Sequence, residues 1–313
     1  MAAIDPSSAR TRMPDPALVI VVLASIGFGT VPFFMRGLSD AGLIAPAVVF
    51  YRYTFTAILL APFLRFSGAM RSASLWGFFS GAMVALGWIG YVEALKVLPV
   101  STVGVIYMTY PVFTIAEGWL FFGERPQGRS LVAGGMIVLG AALASTPASV
   151  PMDKLPYLLV AFTAPFAFGT GINILARKMF AIPPLSRLAC KSLGSVVGLG
   201  PLILLSPLAA VVPAGAHDWA LIAGIAVITA LVPQLLYNIY APKIGATLTA
   251  AAGSIELPTM FVVGAMAFSE PIGPLEAVAG ALVIAAILIT PRQRPGTPEA
   301  SGRRRHLFRT RMS

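Results

Sequence analysis

Charged residues, histidine and cysteine are scarce in this sequence of 313 residues. Only 11% of the residues are charged, whereas a soluble domain averages about 25%, so most of the surface is not built to face water. The single cysteine, Cys190, excludes an internal disulfide, and its expected place is a small buried apolar position. Neither His217 nor His306 lies in an apolar segment, so no histidine-based metal site is expected.

Motifs of nucleotide-driven pumps and hydrolytic enzymes are also missing. The sequence contains no Gly-x-x-x-x-Gly-Lys phosphate loop and no Gly-x-Ser-x-Gly nucleophile elbow. We therefore expect no enzymatic activity, no cofactor and no direct use of ATP.

Long apolar segments are what the sequence does contain. Each of them is long enough to cross about 30 Å of hydrocarbon as a helix, and in hydrocarbon each backbone amide must find its partner within its own segment. The predicted spans are 17–36, 43–64, 74–95, 100–122, 130–148, 156–176, 185–209, 218–240, 246–268 and 273–290. The fold class predicted is an all-α membrane protein with ten transmembrane helices.

The distribution of lysine and arginine predicts the orientation in the membrane. Without the C-terminal tail, nine of these residues fall on the side of the termini and three, Arg36, Lys96 and Lys154, on the other. Positive residues accumulate on the cytoplasmic side, so both termini are expected in the cytoplasm. The net charge of +10 owes much to arginines after Thr290; this tail is suited to anionic lipid headgroups rather than to nucleic acid.

The two halves of the chain resemble each other in the order and spacing of several residues. The matching positions are Phe28-Gly29-Thr30 with Phe168-Gly169-Thr170, Arg52 and Pro62 with Lys191 and Pro201, Ala94-x-Lys96 and Pro111 with Ala241-x-Lys243 and Pro258, and Glu124 with Glu270. Each half holds five spans, an odd number, so the second half enters the membrane from the opposite side. The sequence therefore predicts two inverted five-helix repeats, with a binding site between them near the midplane. The predicted units are a cytosolic segment 1–16, repeats 17–148 and 149–290, and a basic cytosolic tail 291–313.

From residue 17 to about 290 the sequence resembles the drug/metabolite transporter superfamily, specifically its EamA-type members. The resemblance rests on Glu93-Ala94-Leu95-Lys96, Pro111, Phe122-Gly123-Glu124-Arg125 and Gly134-Gly135, and in the second half on Pro258, Ser269-Glu270 and Gly280. It implies a secondary transporter that moves a small metabolite across a bacterial-type inner membrane by alternating access. Efflux of amino acids or related amphiphilic metabolites is the leading interpretation. A sugar, nucleotide-sugar or multidrug carrier is the alternative, and an intramembrane enzyme or a non-transporting scaffold is a remote one.

Ionisable residues inside spans are costly, so each needs a reason. Glu256 lies mid-span among small residues and is a candidate ligand for a substrate amine or a proton; a structural ion pair is the alternative. Arg52 and Lys191 hold equivalent places in the two halves and suit a substrate carboxylate, or a structural or gating role. Glu117 suits either transport or pairing with an arginine at the membrane interface.

Polar and aromatic residues complete the predicted substrate or ion site. They are Trp88, Tyr107, Asn173, Gln234, Tyr237 and Asn238. The predicted partners are a small-molecule substrate, a proton as candidate coupling ion, and membrane lipids. Small residues in the fifth and tenth spans permit a homodimer, while Gly77-x-x-x-Gly81 and Gly194-x-x-x-Gly198 predict close helix packing.

Overall fold

The computed structural model describes residues 15–145 and 151–289, without the side chains at 242, 245–248, 250 and 251. The basic tail 291–313, the junction between the predicted repeats and nearly all of the segment 1–16 lie outside this range. Within it, the chain folds as helices joined by short turns, and no strand is present.

The α-helices follow one another along the chain with few long connections. They are α1 (Pro16–Gly29), α2 (Val31–Asp40), α3 (Ala45–Leu59), α4 (Arg71–Leu95), α5 (Val100–Tyr107), α6 (Tyr110–Phe122), α7 (Gly128–Ala144), α8 (Leu155–Ala161), α9 (Thr163–Lys178), α10 (Pro184–Leu204), α11 (Leu208–Val211), α12 (Ala216–Ala226), α13 (Val232–Gly253), α14 (Glu256–Phe268) and α15 (Pro274–Ile289). A π-helical turn, Val227–Leu231, connects α12 to α13.

Six helical segments of the described chain are long and apolar enough to cross a membrane. They are Pro16–Asp40, Gly68–Leu95, Val100–Phe122, Met152–Lys178, Pro184–Leu204 and Ala216–Ala241. Three further apolar helices, α7, α14 and α15, are shorter, and the second predicted span is a helix of 15 residues, α3. The predicted span 43–64 was too long because a 3-10 turn containing Pro62 ends α3 early.

Helices are broken ahead of two prolines that the sequence singles out. Turns at Met108–Thr109 and at Ser254–Ile255 separate α5 from α6 and α13 from α14, and Pro111 and Pro258 lie in the first turns that follow. Proline has no N–H and cannot continue the preceding hydrogen-bond ladder. The helical segment that carries Glu256 is therefore interrupted directly ahead of this residue.

The predicted boundary between the eighth and ninth spans, at residues 241–245, falls inside one helix, α13 (Val232–Gly253), and is therefore wrong as a helix end. Thr249 Oγ1 donates to the carbonyl of Ala241 at 3.1 Å, although eight residues of a straight helix span about 12 Å. The segment between these residues therefore departs sharply from a straight helix.

Glycines bring α4 and α10 into direct backbone contact. A Cβ on Gly81 would lie 1.9 Å from the Lys191 carbonyl oxygen, and a Cβ on Gly194 would lie 1.9 Å from that of Phe78. Only glycine permits this approach. The prediction that both Gly-x-x-x-Gly motifs are packing sites is confirmed, and the two motifs pack against each other.

The outer surface of the helix bundle is apolar. Leu204 and Met266 expose 85% and 81% of their surface, and many other large apolar side chains also point outward, as expected for contact with lipid tails. In the fifth and tenth spans, Gly140 of α7 lies against Ala279 of α15. Part of the small-residue surface considered for a dimer is thus covered within the chain.

Candidate functional site

Arg52 of α3 is buried in the interior, with 3% of its surface exposed. Its Nη2 donates to the Thr229 carbonyl at 3.3 Å, across the π-helical turn. Pro233 lies four residues after Thr229 and has no N–H, so that carbonyl lacks its α-helical donor. Pro233 thus leaves the Thr229 carbonyl free to accept the hydrogen bond from Arg52.

The rest of the Arg52 guanidinium has aromatic neighbours rather than polar ones. Its carbon lies 4.4 Å from the Trp88 ring centroid and 5.5 Å from that of Tyr53. Its Nε and Nη1 have no hydrogen-bond partner among the described residues. A buried cation with unused donors is costly, and such donors are suited to an anionic ligand.

A cluster of rings continues from Trp88. Trp88 lies 4.8 Å from Tyr91 and 5.1 Å from Tyr107, and Tyr107 lies 5.7 Å from Phe168 (ring centroids). Tyr110 closes the cluster against Phe168 at 5.0 Å. The hydroxyl of Tyr91 is buried and has no partner in the described part of the chain, so a second unused polar group accompanies Arg52.

Glu256 is the first residue of α14 and is only partly exposed. Gly29 allows α1 to pack closely against the start of α14. A Cβ on Gly29 would lie 2.8 Å from the Glu256 carbonyl oxygen and 2.5 Å from the Thr259 Cβ. A carboxylate is favoured at a helix N-terminus. The groups within electrostatic range of Glu256 are Arg52, Tyr91, Tyr107, Tyr110 and Tyr237.

Tyr237 of α13 belongs to the same region. Its ring contacts Phe28 at 6.0 Å, and its hydroxyl donates to the Thr249 carbonyl at 3.4 Å. The structure therefore brings five predicted residues to one place: Glu256, Arg52, Trp88, Tyr107 and Tyr237. Arg52 contacts this aromatic surface directly and interacts electrostatically with Glu256, and a cation and a carboxylate placed in this way can hold a small molecule with both charges.

Glu117 and Asn173 form a second cluster, between α6 and α9. Glu117 is 4% exposed and accepts hydrogen bonds from Thr170 Oγ1 at 2.8 Å and from Asn173 Nδ2 at 3.1 Å. Asn173 Oδ1 in turn accepts from Arg177 Nη1 at 2.5 Å. Both predicted residues have partners within the protein and lie apart from the Arg52 guanidinium.

The three remaining predicted residues are not drawn into the aromatic cluster. Lys191 is half-buried on α10, where its carbonyl packs on Gly81. Asn238 is exposed, donates to the Gln234 carbonyl at 2.7 Å, and lines a groove with Leu235 and Pro184. Gln234 is half-buried on the same helix.

The prediction from sequence did not select Tyr91, Tyr110 or Thr229 as site residues. Tyr91 lies three residues after Trp88, and Tyr110 lies three residues after Tyr107. This spacing places each tyrosine on the same helix face as a predicted site residue, so it could have identified both. Thr229 contributes only its carbonyl, for which Pro233 was the signal. Across the described residues, no group of three or more His, Cys, Asp or Glu side chains is arranged to hold a metal ion.

An apolar helical bundle with a charged and aromatic interior is the architecture of a multi-pass membrane protein, and comparison with known proteins indicates a transporter rather than an enzyme. Residues 15–146 match the EamA-like transporter family, which confirms the resemblance noted in the sequence. Two curated relatives, the Pseudopaline exporter CntI of two Pseudomonas aeruginosa strains, UCBPP-PA14 and PAO1, are 25% and 24% identical over 281 residues, or 89% of this chain and 97% of theirs. One crystal structure shares the fold with a TM-score of 0.57 at 15% identity, over 88% of this chain and 96% of that one.

Proposed function

We propose that the protein is a secondary exporter of a small zwitterionic metabolite, an amino acid or a related amphiphile, across the bacterial inner membrane. The observation that carries the proposal is Arg52, a buried guanidinium with unused Nε and Nη1 donors, within electrostatic range of Glu256. The unused donors of a charged guanidinium suit an anionic group such as a carboxylate, and the Glu256 carboxylate is the matching acceptor for an ammonium group. Tyr91, Tyr107 and Trp88 would contact the apolar part of the substrate.

The proposed architecture is a pair of inverted five-helix repeats, 17–148 and 149–290, with both termini cytoplasmic. Corresponding packing in the two halves supports it. Gly29 packs on the first turn of α14, and Gly169 packs on the first turn of α6, where a Cβ would lie 3.0 Å from the Thr114 nitrogen. Broken helices at matching positions are typical of carriers in which rocking of the halves alternates access to a midplane site.

The direction of transport is inferred from the two curated relatives, which are exporters. Coupling to a proton gradient is part of the proposal because Glu256 is an acidic group that interacts electrostatically with Tyr91, Tyr107 and Tyr110 of the aromatic cluster. A proton and a substrate ammonium would compete for this carboxylate, and their exchange couples the two fluxes.

A lipophilic cation is a second candidate substrate, favoured by one observation. A connected cluster of aromatic rings attracts cations. The cluster here consists of Trp88, Tyr91, Tyr107, Tyr110 and Phe168. A multidrug carrier would use this cluster and Glu256, and would leave Arg52 without a role.

Flux measurements in liposomes separate these functions. Purified protein is reconstituted with an imposed pH gradient or without one, and efflux of amino acids is compared with that of their amides and of their decarboxylated amines. Neutral sugars, nucleotide sugars and lipophilic cations complete the panel. The proposal requires that the zwitterion is transported in preference to both singly charged analogues. Transport of lipophilic cations without zwitterion flux would contradict it.

A further inference from the structure

Two ion pairs connect helices that are distant in sequence. Arg36 of α2 pairs with Glu270, which follows α14, and Arg177 of α9 pairs with Glu124, which follows α6, at 2.5 Å from Nη2 to Oε1. Each pair joins a residue of one predicted repeat to a residue of the other.

The surroundings of the two carboxylates match in detail. The residue before each glutamate has a left-handed backbone conformation. Gly123, before Glu124, has a φ of 68°, and Ser269, before Glu270, has a φ of 53°. The Glu124 N–H donates to the Gly118 carbonyl at 3.2 Å, and the Glu270 N–H donates to the Gly264 carbonyl at 3.1 Å. The same backbone turn therefore presents both carboxylates.

The two arginines are also placed in the same way. The Arg177 guanidinium lies 4.4 Å from the Phe122 ring centroid, and that of Arg36 lies 4.6 Å from the Phe268 ring centroid. Each module thus consists of an aromatic ring, a left-handed residue, a glutamate and an arginine from elsewhere in the chain. A chance pair of surface charges would not repeat these four features.

The two modules lie at opposite ends of the bundle. The Val100 N–H, at the start of α5, donates to Glu270 Oε2 at 2.7 Å, and Gly104 lies near Met260 of α14, so α5 and α14 are antiparallel. Glu124 is 24 residues beyond Val100, or about 36 Å at 1.5 Å per residue. The aromatic cluster with Arg52 lies between them.

We propose that these pairs are two latches, Arg36–Glu270 and Arg177–Glu124, which close the two ends of the substrate pathway and open in alternation. This inference rests on the proposed transport function. The structure holds both latches closed, which is the occluded arrangement. Side-chain exposures of 23% and 15% in one pair and 18% and 48% in the other leave both accessible to water, and such pairs contribute little stability. They can therefore break and re-form in every cycle.

The latches differ in what lies behind them. Arg177 also bonds Asn173, which bonds Glu117, so a polar chain leads inward from this latch. Glu270 instead holds the first N–H of α5. Opening the Arg36–Glu270 latch is therefore expected to release the start of α5, whereas opening the other releases the end of α9.

Hydrogen–deuterium exchange in lipid nanodiscs tests the two latches without any substrate. Glu270→Gln should raise deuterium uptake in residues 97–103 and leave residues 123–127 and 179–183 unchanged, and Glu124→Gln should do the reverse. The double variant Arg36→Gln with Glu270→Gln should open no further than either single variant, because both remove one interaction. Glu93→Gln is the control, since Glu93 pairs with Lys96 only three residues away, at 2.8 Å, and should change neither end.

Unchanged uptake in both latch variants, or an equal rise at both ends in each, would overturn the assignment. Because exchange is measured without substrate, a wrong substrate class would leave this result intact. Conversely, absent latch behaviour would not affect zwitterion flux in the liposome panel.

Discussion

The guanidinium carbon of Arg52 lies 4.4 Å from the centroid of the Trp88 ring, and both side chains are almost completely buried. This contact fixes one side of the guanidinium, and the Thr229 carbonyl fixes Nη2. The Nε and Nη1 donors are thereby held in a defined direction without a partner in the described chain. Preorganised donors of this kind can bind an anionic group without first breaking an internal ion pair.

Arg52→Lys should bind substrate more weakly although it keeps the charge, because lysine lacks the fixed planar donors of a guanidinium and cannot stack on Trp88 in the same way. Hydrogen bonds to charged groups contribute about 1.5–3 kcal/mol, so apparent affinity should fall roughly 10- to 100-fold. Concentration dependence of liposome flux measures this effect. Arg65→Gln, an exposed position in the turn after α3, is the control and should leave flux unchanged. Equal affinity of Arg52→Lys and the native protein would exclude a direct contact between the guanidinium and the substrate carboxylate.

Backbone contact between α4 and α10 leads to a prediction about stability. Gly194→Ala places a Cβ 1.9 Å from the Phe78 carbonyl oxygen, so the helices must separate, and overpacking of this kind costs about 1–3 kcal/mol. We expect a lower melting temperature in detergent. Gly200→Ala on the same helix has open space around its Cβ and should keep or raise the melting temperature. If both variants melt alike, the crossing is looser than described.

Features of the fold that depend on local sterics were predictable from the sequence. Pro111 and Pro258 predict the breaks before α6 and α14 because a proline lacks the N–H that continues a helix, and the Gly81 and Gly194 motifs predict the close crossing. The length of α3 was overestimated because hydropathy does not register the turn at Pro62.

The composition of the site was predictable only in part. Burial and charge single out Arg52 and Glu256, and aromatic spacing singles out Trp88 and Tyr107. The Arg52–Thr229 hydrogen bond joins residues 177 positions apart. It depends on the direction of the Arg52 side chain in the folded protein, which the sequence does not specify. Asn238 illustrates the limit, since it follows Tyr237 directly but faces the outer groove, because successive helical residues point about 100° apart.

The predicted orientation is tested by reporter fusions. Fusions after residue 290 and in the turn at Ser67 should report cytoplasmic, and a fusion in the turn after α2, at Gly42, should report periplasmic. The bias of nine to three in lysine and arginine supports this arrangement. A periplasmic reading at the C-terminus would contradict the ten-span arrangement and both termini in the cytoplasm.

Glu256 provides the sharpest test of the proposed site. It begins α14, directly after a helix break, where Gly29 brings α1 against its backbone and Arg52 lies within electrostatic range. Glu256→Gln keeps the shape and removes the charge, so we expect normal expression and melting temperature with most of the flux lost, because the substrate ammonium loses its counter-ion. Glu93→Gln, at an ion-paired glutamate near the end of α4, is the matched control and should transport normally.

Loss of only the flux driven by a pH gradient would assign Glu256 to proton coupling instead of substrate binding. Normal flux in Glu256→Gln together with unfolding of Glu256→Ala would show that the residue is structural, and the proposed site would then be wrong.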